Sequence, residues 1–371
     1  MPVTSSDLYP VSRLAAVQEA TAKSGLDALL LTPGSDLRYV SGYDAKAQER
    51  LTCLVVPATG EPFLMVPRLE LPAAQASPAA RLGLDFVAWD ETDDPYRVAA
   101  ARLGRVDKVG LADRMLAMSS LRFRDVMPQT EQVLAGTVLR ELRMRKSPAE
   151  VDALREAGQA IDSVHRRMPE FLRAGRSERE VGRDIAEAIL AAGHESVDFV
   201  IVASGPNGAS PHHDVSDRVI QAGEPVVVDI GGQLHNGYCS DSTRTYSVGA
   251  PPAEFAEYYE VLRRAQDAAC AAVRPGVPCE SIDAAARDLI TEAGYGDYFI
   301  HRTGHGIGVE THEEPYIVSG NAEPMEPGFA FSVEPGIYLP GRHGARIEDI
   351  LVCTESGGER LNVTSRELVI V

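Results

Sequence analysis

The 371-residue sequence has no paired cysteines, no long apolar run and no excess of positive charge. Its five cysteines are odd in number and form no CxxC pair, which is typical of reduced thiols in the cytoplasm rather than of a disulfide framework. No apolar run approaches the ~18 residues of a membrane span, and the N-terminus lacks the pattern of a signal peptide. A net charge of −18 disfavours nucleic acid and anionic membranes as partners. We therefore expect a cytoplasmic protein that binds neither.

The length favours two domains, and the pattern of the first 138 residues predicts an α/β domain, because short apolar runs alternate with helical segments. The predicted strands lie at 27–32, 52–56, 62–66, 85–89 and 108–111, and the predicted helices at 11–24, 68–77, 94–103 and 115–126. This part of the sequence contains no glycine-rich phosphate loop, nucleophile elbow or metal-ligand spacing. We expect it to shape a pocket or an oligomer contact.

A short basic cluster at 139–147 marks the start of a second domain, residues 139–371. Ser147-Pro148-Ala149-Glu150 then predicts a capped helix start, with a long helix running to about Arg173. An internal repeat follows, in which two helical segments run from glycine to glycine, 175–193 and 276–294, offset by 101 residues. Strands are predicted after each, at 196–204 and 297–309. The repeat indicates two similar halves with a cleft between their sheets.

Three valines, 226–228, predict a buried strand that ends at Asp229. The chain then turns at Asn236-Gly237, a strong hairpin signal, and returns along a Thr/Tyr/Val strand that carries Asp241. Because an aspartate in an apolar run is costly to bury without a cation, the two carboxylates are candidate metal ligands on neighbouring strands.

Three further candidate ligands follow the hairpin: His305 in a glycine-rich strand, Glu334 after an apolar run, and Glu348 within another. Each residue alone is more simply explained as a turn, cap or structural residue. Four carboxylates and one imidazole together form an oxygen-rich set that is too large for one catalytic zinc. The set favours two divalent cations bridged by carboxylates, with Mn or Co suited to oxygen ligands.

Histidines cluster around these ligands. His212, His301 and His312 are candidates for contacting a substrate carbonyl or an oxyanion as neutral imidazoles. His213 and His235 are instead expected to be solvent-exposed loop residues.

The ligands and their flanking sequences resemble those of the pita-bread metallopeptidases, and within them the proline-directed branch of prolidase and aminopeptidase P. The resemblance covers nearly the whole chain, and the matching motifs are 240–245, 301–312, 333–338 and 346–349. It implies an α+β protein with a creatinase/prolidase-like N-terminal α/β domain at 1–138, followed by a pita-bread catalytic domain at 139–371 with a pseudo-twofold duplication. It also implies a homodimer and two divalent cations per chain, with Mn expected and Co or Zn as alternatives.

The resemblance assigns a role to each candidate residue. Asp241 and Glu348 would bridge two metals that hold a hydroxide, with Asp229 on one metal and His305 and Glu334 on the other. Glu334 would also shuttle the proton to the leaving proline nitrogen, and His312 would stabilise the tetrahedral oxyanion. The residues expected to bind substrate are His212, His301, His312, Tyr338 and Arg346, with the first two on the proline side.

The sequence departs from the family pattern at two places. Eleven residues separate Asp229 from Asp241, one more than in the common pattern, which predicts an extra residue or a bulge in the hairpin turn. No arginine lies between His312 and Glu334, where some prolidases bind the carboxylate of a dipeptide. Arg346 is then the candidate for that role, unless it pairs with Asp229.

The function expected from these features is a Xaa-Pro dipeptidase acting on proline-containing dipeptides or short peptides. A Xaa-Pro aminopeptidase that cleaves longer peptides is the close alternative. Creatinase-like C–N hydrolysis is disfavoured because creatinase lacks the ligands found here. A non-catalytic binding module of the same fold is disfavoured because buried carboxylates are costly to keep without metal.

Overall fold

The computed structural model describes residues 4–371 and divides between Arg143 and Met144 into two compact units. Within residues 4–371, no helix is long and apolar enough to cross a membrane. The two units are described separately below.

The first unit is built on a six-stranded mixed sheet with strand order β4-β3-β2-β1-β5-β6. Its strands are β1 (Ala28–Leu31), β2 (Cys53–Pro57), β3 (Phe63–Pro67), β4 (Asp85–Trp89), β5 (Lys108–Leu111) and β6 (Glu131–Leu134). Its helices are α1 (Ser5–Leu8), α2 (Val11–Lys23), α3 (Ser35–Ser41), α4 (Leu71–Ala76), α5 (Pro95–Leu103), α6 (Ala117–Val126) and α7 (Gly136–Met144). The central strands are fully buried, as their continuous apolar runs require.

All five strands predicted for this unit are confirmed, and so are the helices at 11–24, 94–103 and 115–126 to within two residues. The segment predicted as a helix at 68–77 forms a 3₁₀ turn, Arg68–Glu70, followed by α4. The helices and strands missed are α1, α3, β6 and α7. Strand β6 is a half-exposed edge strand with the sequence Glu-Gln-Val-Leu, so it lacks the apolar run that marks the buried strands.

The second unit contains two layers of helices and strands. Its helices are α8 (Pro148–His165), α9 (Met168–Phe171), α10 (Glu178–Ala191), α11 (Ala253–Ala272) and α12 (Cys279–Glu292). Its strands are β7 (His194–Ser204), β8 (Glu224–Leu234), β9 (Cys239–Val248), β10 (Gly304–Gly306), β11 (Glu313–Ile317), β12 (Ala330–Val333), β13 (Gly336–Leu339), β14 (His343–Arg346), β15 (Asp349–Thr354), β16 (Gly357–Arg360) and β17 (Val369–Ile370).

Helix α8 begins as predicted but does not continue to Arg173. The Ser147 side chain accepts a hydrogen bond from the Glu150 amide, and the Glu150 carboxylate accepts one from the Ser147 amide at 2.9 Å. The helix ends at His165, because Pro169 has no amide hydrogen for the carbonyl four residues earlier and its ring crowds that carbonyl. A separate short helix, α9, then begins.

The internal repeat is confirmed as a duplication of helices over sheets. Helices α10 and α12 begin and end 101 residues apart, and the amides of Gly175 and Gly276 donate to the carbonyls of Ile220 and Met325, each of which lies just before a strand of the sheet, β8 and β12 respectively. In the first half, α8 and α10 pack on the sheet β17-β9-β8-β7. In the second, α11 and α12 pack on the sheet β11-β10-β12-β15-β16.

A strand is predicted after each repeated helix. The prediction is confirmed in the first half and is mostly wrong in the second. Strand β7 covers 194–204, but the segment 297–309 contains only the three residues of β10. Glycines 304 and 306 weaken this segment as a strand and are required by close backbone contacts, since a Cβ there would meet the carbonyl oxygens of Ser332 and Glu314.

The β8–β9 hairpin is confirmed, but Asp229 does not end its strand. It is the sixth of eleven residues in β8 and pairs with Thr243, while Gly231 pairs with Asp241. The Gly231-Gly232 pair resembles a turn but lies inside the strand, where a Cβ on Gly231 would come within 2.5 Å of the Phe199 ring and the Ser240 carbonyl.

The extra residue lies in the hairpin turn. Leu234 accepts a hydrogen bond from the Gly237 amide at 2.8 Å and donates one to the Tyr238 carbonyl at 3.0 Å. Gly237 has φ of 94°, so the turn has a glycine bulge in the left-handed region. Pairing between β8 and β9 is continuous from Glu224 to Gln233, so the bulge leaves the two aspartates in register.

Candidate active site

The five candidate ligands are brought together by both sheets of the second unit. Asp229 and Asp241 project from the same face of the β8–β9 ladder. Asp229 and Gly231 are two residues apart in β8 and so share a face, and Gly231 pairs directly with Asp241. His305 lies in β10, Glu334 directly follows β12, and Glu348 directly precedes β15. Strands β12 and β15 pair through Val333 and Asp349, so Glu334 and Glu348 continue from adjacent strands.

Backbone hydrogen bonds tie the two sheets at this point. The Glu348 amide donates to the Thr243 carbonyl at 3.1 Å, and the Thr243 hydroxyl donates to Glu348 Oε2 at 2.7 Å. The Glu334 amide donates to the Thr303 carbonyl at 2.8 Å. Each carboxylate therefore extends from backbone that is anchored on a neighbouring strand.

The donor atoms of Asp241, His305 and Glu348 all lie within 4.8 Å of one another, and all three residues are buried. His305 Nε2 lies 3.2 Å from Glu334 Oε1 and 3.6 Å from Asp241 Oδ2. The other ring nitrogen, Nδ1, lies 3.1 Å from the Gly306 carbonyl. Without a cation, the contact of Nε2 with Glu334 requires a proton on Nε2; with a cation bound, donation from Nδ1 to the Gly306 carbonyl would leave the Nε2 lone pair for the metal.

Two buried carboxylate oxygens, Asp229 Oδ1 and Glu348 Oε1, have no hydrogen-bond partner within residues 4–371. Burial and the neighbouring carboxylates raise the pKa of Asp241 and of Glu348 well above the usual range. Burial alone would also raise the pKa of Glu334, but its bond to His305 and nearby cationic groups outweigh burial and hold that pKa at about 2. Unpartnered oxygens among crowded carboxylates are the donor set that divalent cations with oxygen preference require.

Arg346 lies on the floor of this group and is already engaged. Its Nη2 donates to Asp229 Oδ2 at 2.5 Å, its Nη1 to the Tyr338 hydroxyl at 2.6 Å, and its Nε to the Thr243 hydroxyl at 3.1 Å. The pairing with Asp229 is the alternative that the sequence left open. Arg244 forms its ion pair with Asp349 at 2.6 Å and not with a side chain of the candidate ligands.

A cavity of about 730 Å³ opens over the five candidate ligands. His212, His301 and His312 lie on its wall, as do Arg346 and the five ligands. His312 stacks near His305 with ring centroids 4.1 Å apart, and desolvation together with His305 lowers its pKa to about 4. His312 is therefore a neutral imidazole at neutral pH.

Tyr338 lies behind the cavity wall rather than on it. Its side chain is buried, and its hydroxyl lies 2.8 Å from His301 Nε2 and accepts the bond from Arg346. The Tyr338 hydroxyl therefore contacts His301, which is on the cavity wall; the contact of Tyr338 with substrate stays a prediction. The ring of His301 is fixed on its other side by a contact of Nδ1 with the Arg302 carbonyl at 2.7 Å.

The two histidines expected to be exposed differ. His235 is exposed in the hairpin turn, as predicted. His213 is not, because its side chain is only 17% exposed and its Nε2 lies 2.8 Å from Glu178 Oε2. No sequence pattern signals this contact, since the two residues lie 35 positions apart.

Sequence reasoning also missed other residues of the cavity wall, among them Asp198, Phe199, Arg302 and Asp214. Arg302 is half-buried and stacks its guanidinium 4.2 Å from the centroid of the Tyr316 ring. It forms no ion pair with any acid in the described part of the chain. The sequence signal for placing Arg302 on the cavity wall is its position three residues before His305, because residues next to a ligand in a short strand also reach the cavity.

Comparisons with known proteins agree with this geometry. The model of metallopeptidase family M24 matches residues 152–355, and the model of the creatinase/prolidase N-terminal domain matches residues 13–145. The chain is 55% identical to the probable dipeptidase PepE of Mycobacterium tuberculosis over 97% of this chain and 96% of that protein. It is 36% identical to the Xaa-Pro dipeptidase of Lactobacillus delbrueckii subsp. lactis, covering 96% and 98%.

Among solved structures, dipeptidase PepE from Mycobacterium ulcerans superposes with a TM-score of 0.92 at 53% identity, covering 98% of this chain and 99% of that one. The expected fold, a creatinase-type N-terminal domain followed by an M24 catalytic domain, is confirmed by these matches. The chain belongs to metallopeptidase family M24.

Proposed function

We propose that this protein is a di-metal Xaa-Pro dipeptidase, with Asp229, Asp241, His305, Glu334 and Glu348 as the metal ligands. The observation that carries the proposal is the convergence of four carboxylates and one imidazole, two of whose buried oxygens lack a protein partner, at the base of a cavity of about 730 Å³. The proposal places catalysis in residues 139–371, with two divalent cations, Mn in preference to Co or Zn.

Bound cations would lower the pKa of water so that a nucleophile exists at neutral pH. The protein supplies proton transfer and orientation. Glu334, with its pKa at about 2, is ionised at neutral pH, so its carboxylate can accept the proton of the attacking water and pass it to the leaving proline nitrogen. The Ser332 hydroxyl donates to Glu334 Oε1 at 3.1 Å, and His305 Nε2 lies 3.2 Å from the same oxygen. These contacts hold the carboxylate in place for proton transfer from the water and to the proline nitrogen.

His312 is assigned to the tetrahedral oxyanion. His312 lies beside His305 and is a neutral imidazole at neutral pH. One of its ring nitrogens therefore carries an N–H that can donate to the oxyanion. His301 and His212 are assigned to the proline side of the cavity. Tyr338 and Arg346 support this side from behind, through His301 and Asp229.

A dipeptide presents its terminal carboxylate close to the scissile bond, and a guanidinium on the cavity wall could receive it. Arg346 is committed to Asp229, whereas Arg302 lies on the wall, stacks on Tyr316 and has no ion pair within residues 4–371. A guanidinium is well suited to a bidentate carboxylate contact. Arg302 therefore supports the dipeptide over the longer peptide as substrate.

The test compares a Xaa-Pro dipeptide with a Xaa-Pro-Xaa tripeptide in buffer containing Mn, using protein stripped by chelator as the control. We expect cleavage of the dipeptide with the higher kcat/KM, loss of activity after stripping, and about two Mn per chain after reconstitution. Preference for the tripeptide would replace the dipeptidase by a Xaa-Pro aminopeptidase. Cleavage of neither peptide by the reconstituted protein would reject both.

A further inference from the structure

A single buried carboxylate, that of Glu178, joins both ends of the segment that forms one wall of the cavity. Glu178 is the first residue of α10, where a glutamate ordinarily faces solvent near the positive end of the helix. Here its side chain is fully buried. The catalytic proposal gives it no role, and its contacts explain why it is turned inward.

One oxygen of Glu178 binds the start of the wall segment. Oε1 accepts hydrogen bonds from the Ser204 amide at 2.8 Å, the Ser204 hydroxyl at 2.7 Å and the Asn207 side-chain amide at 3.0 Å. Ser204 is the last residue of β7, and Asn207 lies in the 3₁₀ turn Gly205–Ala209 that follows.

The other oxygen binds the end of the same segment. Oε2 accepts from the Ser216 hydroxyl at 2.5 Å and from the Ser216 amide at 3.3 Å, and it lies 2.8 Å from His213 Nε2. Pro211, His212, His213 and Asp214, which lie between the two anchored ends, all line the cavity.

The wall segment has few other restraints. Within the described residues, no backbone amide of 212–215 donates to a backbone carbonyl. Arg346 Nη2 reaches the Pro211 carbonyl at 3.3 Å, and the Arg179 amide donates to the Ser216 carbonyl at 2.9 Å. Arg218 Nη1 also donates to the Ser204 hydroxyl at 2.6 Å, and the Asn207 side-chain amide to the Ser216 hydroxyl at 3.4 Å. Glu178 is the group on which hydrogen bonds from both ends of the segment converge.

The duplicated half has no carboxylate at the equivalent first position of its helix, which argues against a purely general role in starting the helix. The residue 101 positions after Glu178 is Cys279, which begins α12 and packs in the apolar core. Helix α12 forms without a carboxylate at that position. The glutamate of the first half is accordingly explained by the wall segment and not by the helix.

We propose that Glu178 is a positioning residue for substrate binding, because it fixes the segment 204–216 and thereby the place of His212 on the cavity wall. The inference rests on the proposed function, in which His212 contacts the proline side of the substrate. It assigns Glu178 no contact with metal, water nucleophile or scissile bond.

The test uses full-length, Mn-loaded protein and compares Glu178→Gln with Glu180→Gln. Glu180 lies in the same first turn of α10, is exposed, and bonds to Ser177, so its substitution matches the loss of helix-terminal charge without touching the wall. For Glu178→Gln we expect unchanged metal content, kcat within about threefold, and KM for a Xaa-Pro dipeptide raised about tenfold or more. Glu180→Gln should match the wild type in all three.

Hydrogen exchange measured by mass spectrometry, without substrate, supplies a readout that does not depend on activity. Exchange in 205–217 should be faster in Glu178→Gln and unchanged in Glu180→Gln. Unchanged exchange in this segment, or an unchanged KM, would overturn the inference. Failure of the wild type to cleave the peptide would instead reject the proposed function, and the exchange comparison alone would then decide whether Glu178 fixes the segment. If Glu178→Gln does not fold, Ser216→Ala removes one donor to the same carboxylate and should raise KM and local exchange in the same direction.

Discussion

The two duplicated halves of the second unit contribute to one site by different means. The first half (148–248) places Asp229 and Asp241 on strands of eleven and ten residues that pair without interruption. The second half (253–354) places His305 in a strand of three residues, and Glu334 and Glu348 beside strands of four and six. A long regular ladder and a set of short strands thus hold ligands of the same centre.

The difference teaches that the second half replaces ladder hydrogen bonds by side-chain contacts. Thr303, two residues before His305, donates its amide and hydroxyl to the buried carboxylate of Asp283 on α12, at 3.2 and 2.7 Å. The His305 amide donates to the Ser332 hydroxyl at 3.0 Å. Ligand positions in the first half therefore depend on backbone pairing, and those in the second depend on particular side chains.

The strongest test of this comparison removes one carboxylate from each half. If both halves serve one centre, Asp241→Ala and Glu348→Ala should each lose bound metal and about a thousandfold in kcat/KM, corresponding to the several kcal/mol that a metal contributes. Metal analysis and peptide hydrolysis check the outcome. Asp198→Ala, which removes an exposed acid from the same cavity, is the control and should retain its metal; full activity in Asp241→Ala would contradict a shared centre.

Glycine substitutions test how each half tolerates crowding. Alanine at Gly304 would place its Cβ against the Ser332 carbonyl of β12, a backbone atom, whereas at Gly231 part of the clash is with the movable Phe199 ring. We expect both variants to be destabilised, by about 2–3 kcal/mol for Gly304→Ala and less for Gly231→Ala. Denaturant unfolding measures both. Gly182→Ala in α10 is the control, since its new methyl meets the side chains of Val215 and Val200 rather than backbone, and alanine favours the helix.

The smallest effect expected is a difference in acid stability. Burial alone would raise the pKa of Glu178, but the bonds from Ser216 and Ser204 outweigh it and hold the pKa below its ordinary value of 4.5. A lowered folded-state pKa contributes stability that is complete above 4.5 and is lost as the pH falls through the folded-state value. The unfolding free energy of Glu178→Gln should therefore fall less steeply than that of the wild type below pH 4.5. Equal slopes would mean that the carboxylate is not bonded as described.

Much of the site could be predicted from sequence because its charged side chains stand out against the apolar residues around them. Asp229 and Glu348 stand within apolar runs, where an acid needs a specific partner, and Asp241 lies on the strand predicted to pair with that of Asp229; the structure brings all three to one cavity. The capped start of α8 and the repeated α10 and α12 were predictable for a similar reason, since glycine, proline and serine have few conformational uses.

The remainder depended on contacts between residues distant in the chain. The strand is predicted to end at Asp229 but continues through Gly231, because sequence does not show that the Phe199 ring and the Ser240 carbonyl occupy the space of a side chain there. The contact of His213 with Glu178 and the stacking of Arg302 on Tyr316 likewise join residues 35 and 14 positions apart. Periodicity identifies faces of elements but not the partners that those faces meet.

The crowding of carboxylates at the centre has a consequence for how metal is acquired. Burial and the neighbouring carboxylates raise the pKa of Asp241 and of Glu348, so a divalent cation at the proposed site would compete with protons for the same oxygens. We therefore expect the affinity for metal to increase with pH. The guanidinium of Arg346 already offsets the charge of Asp229, which lowers the electrostatic cost of gathering these carboxylates in the fold.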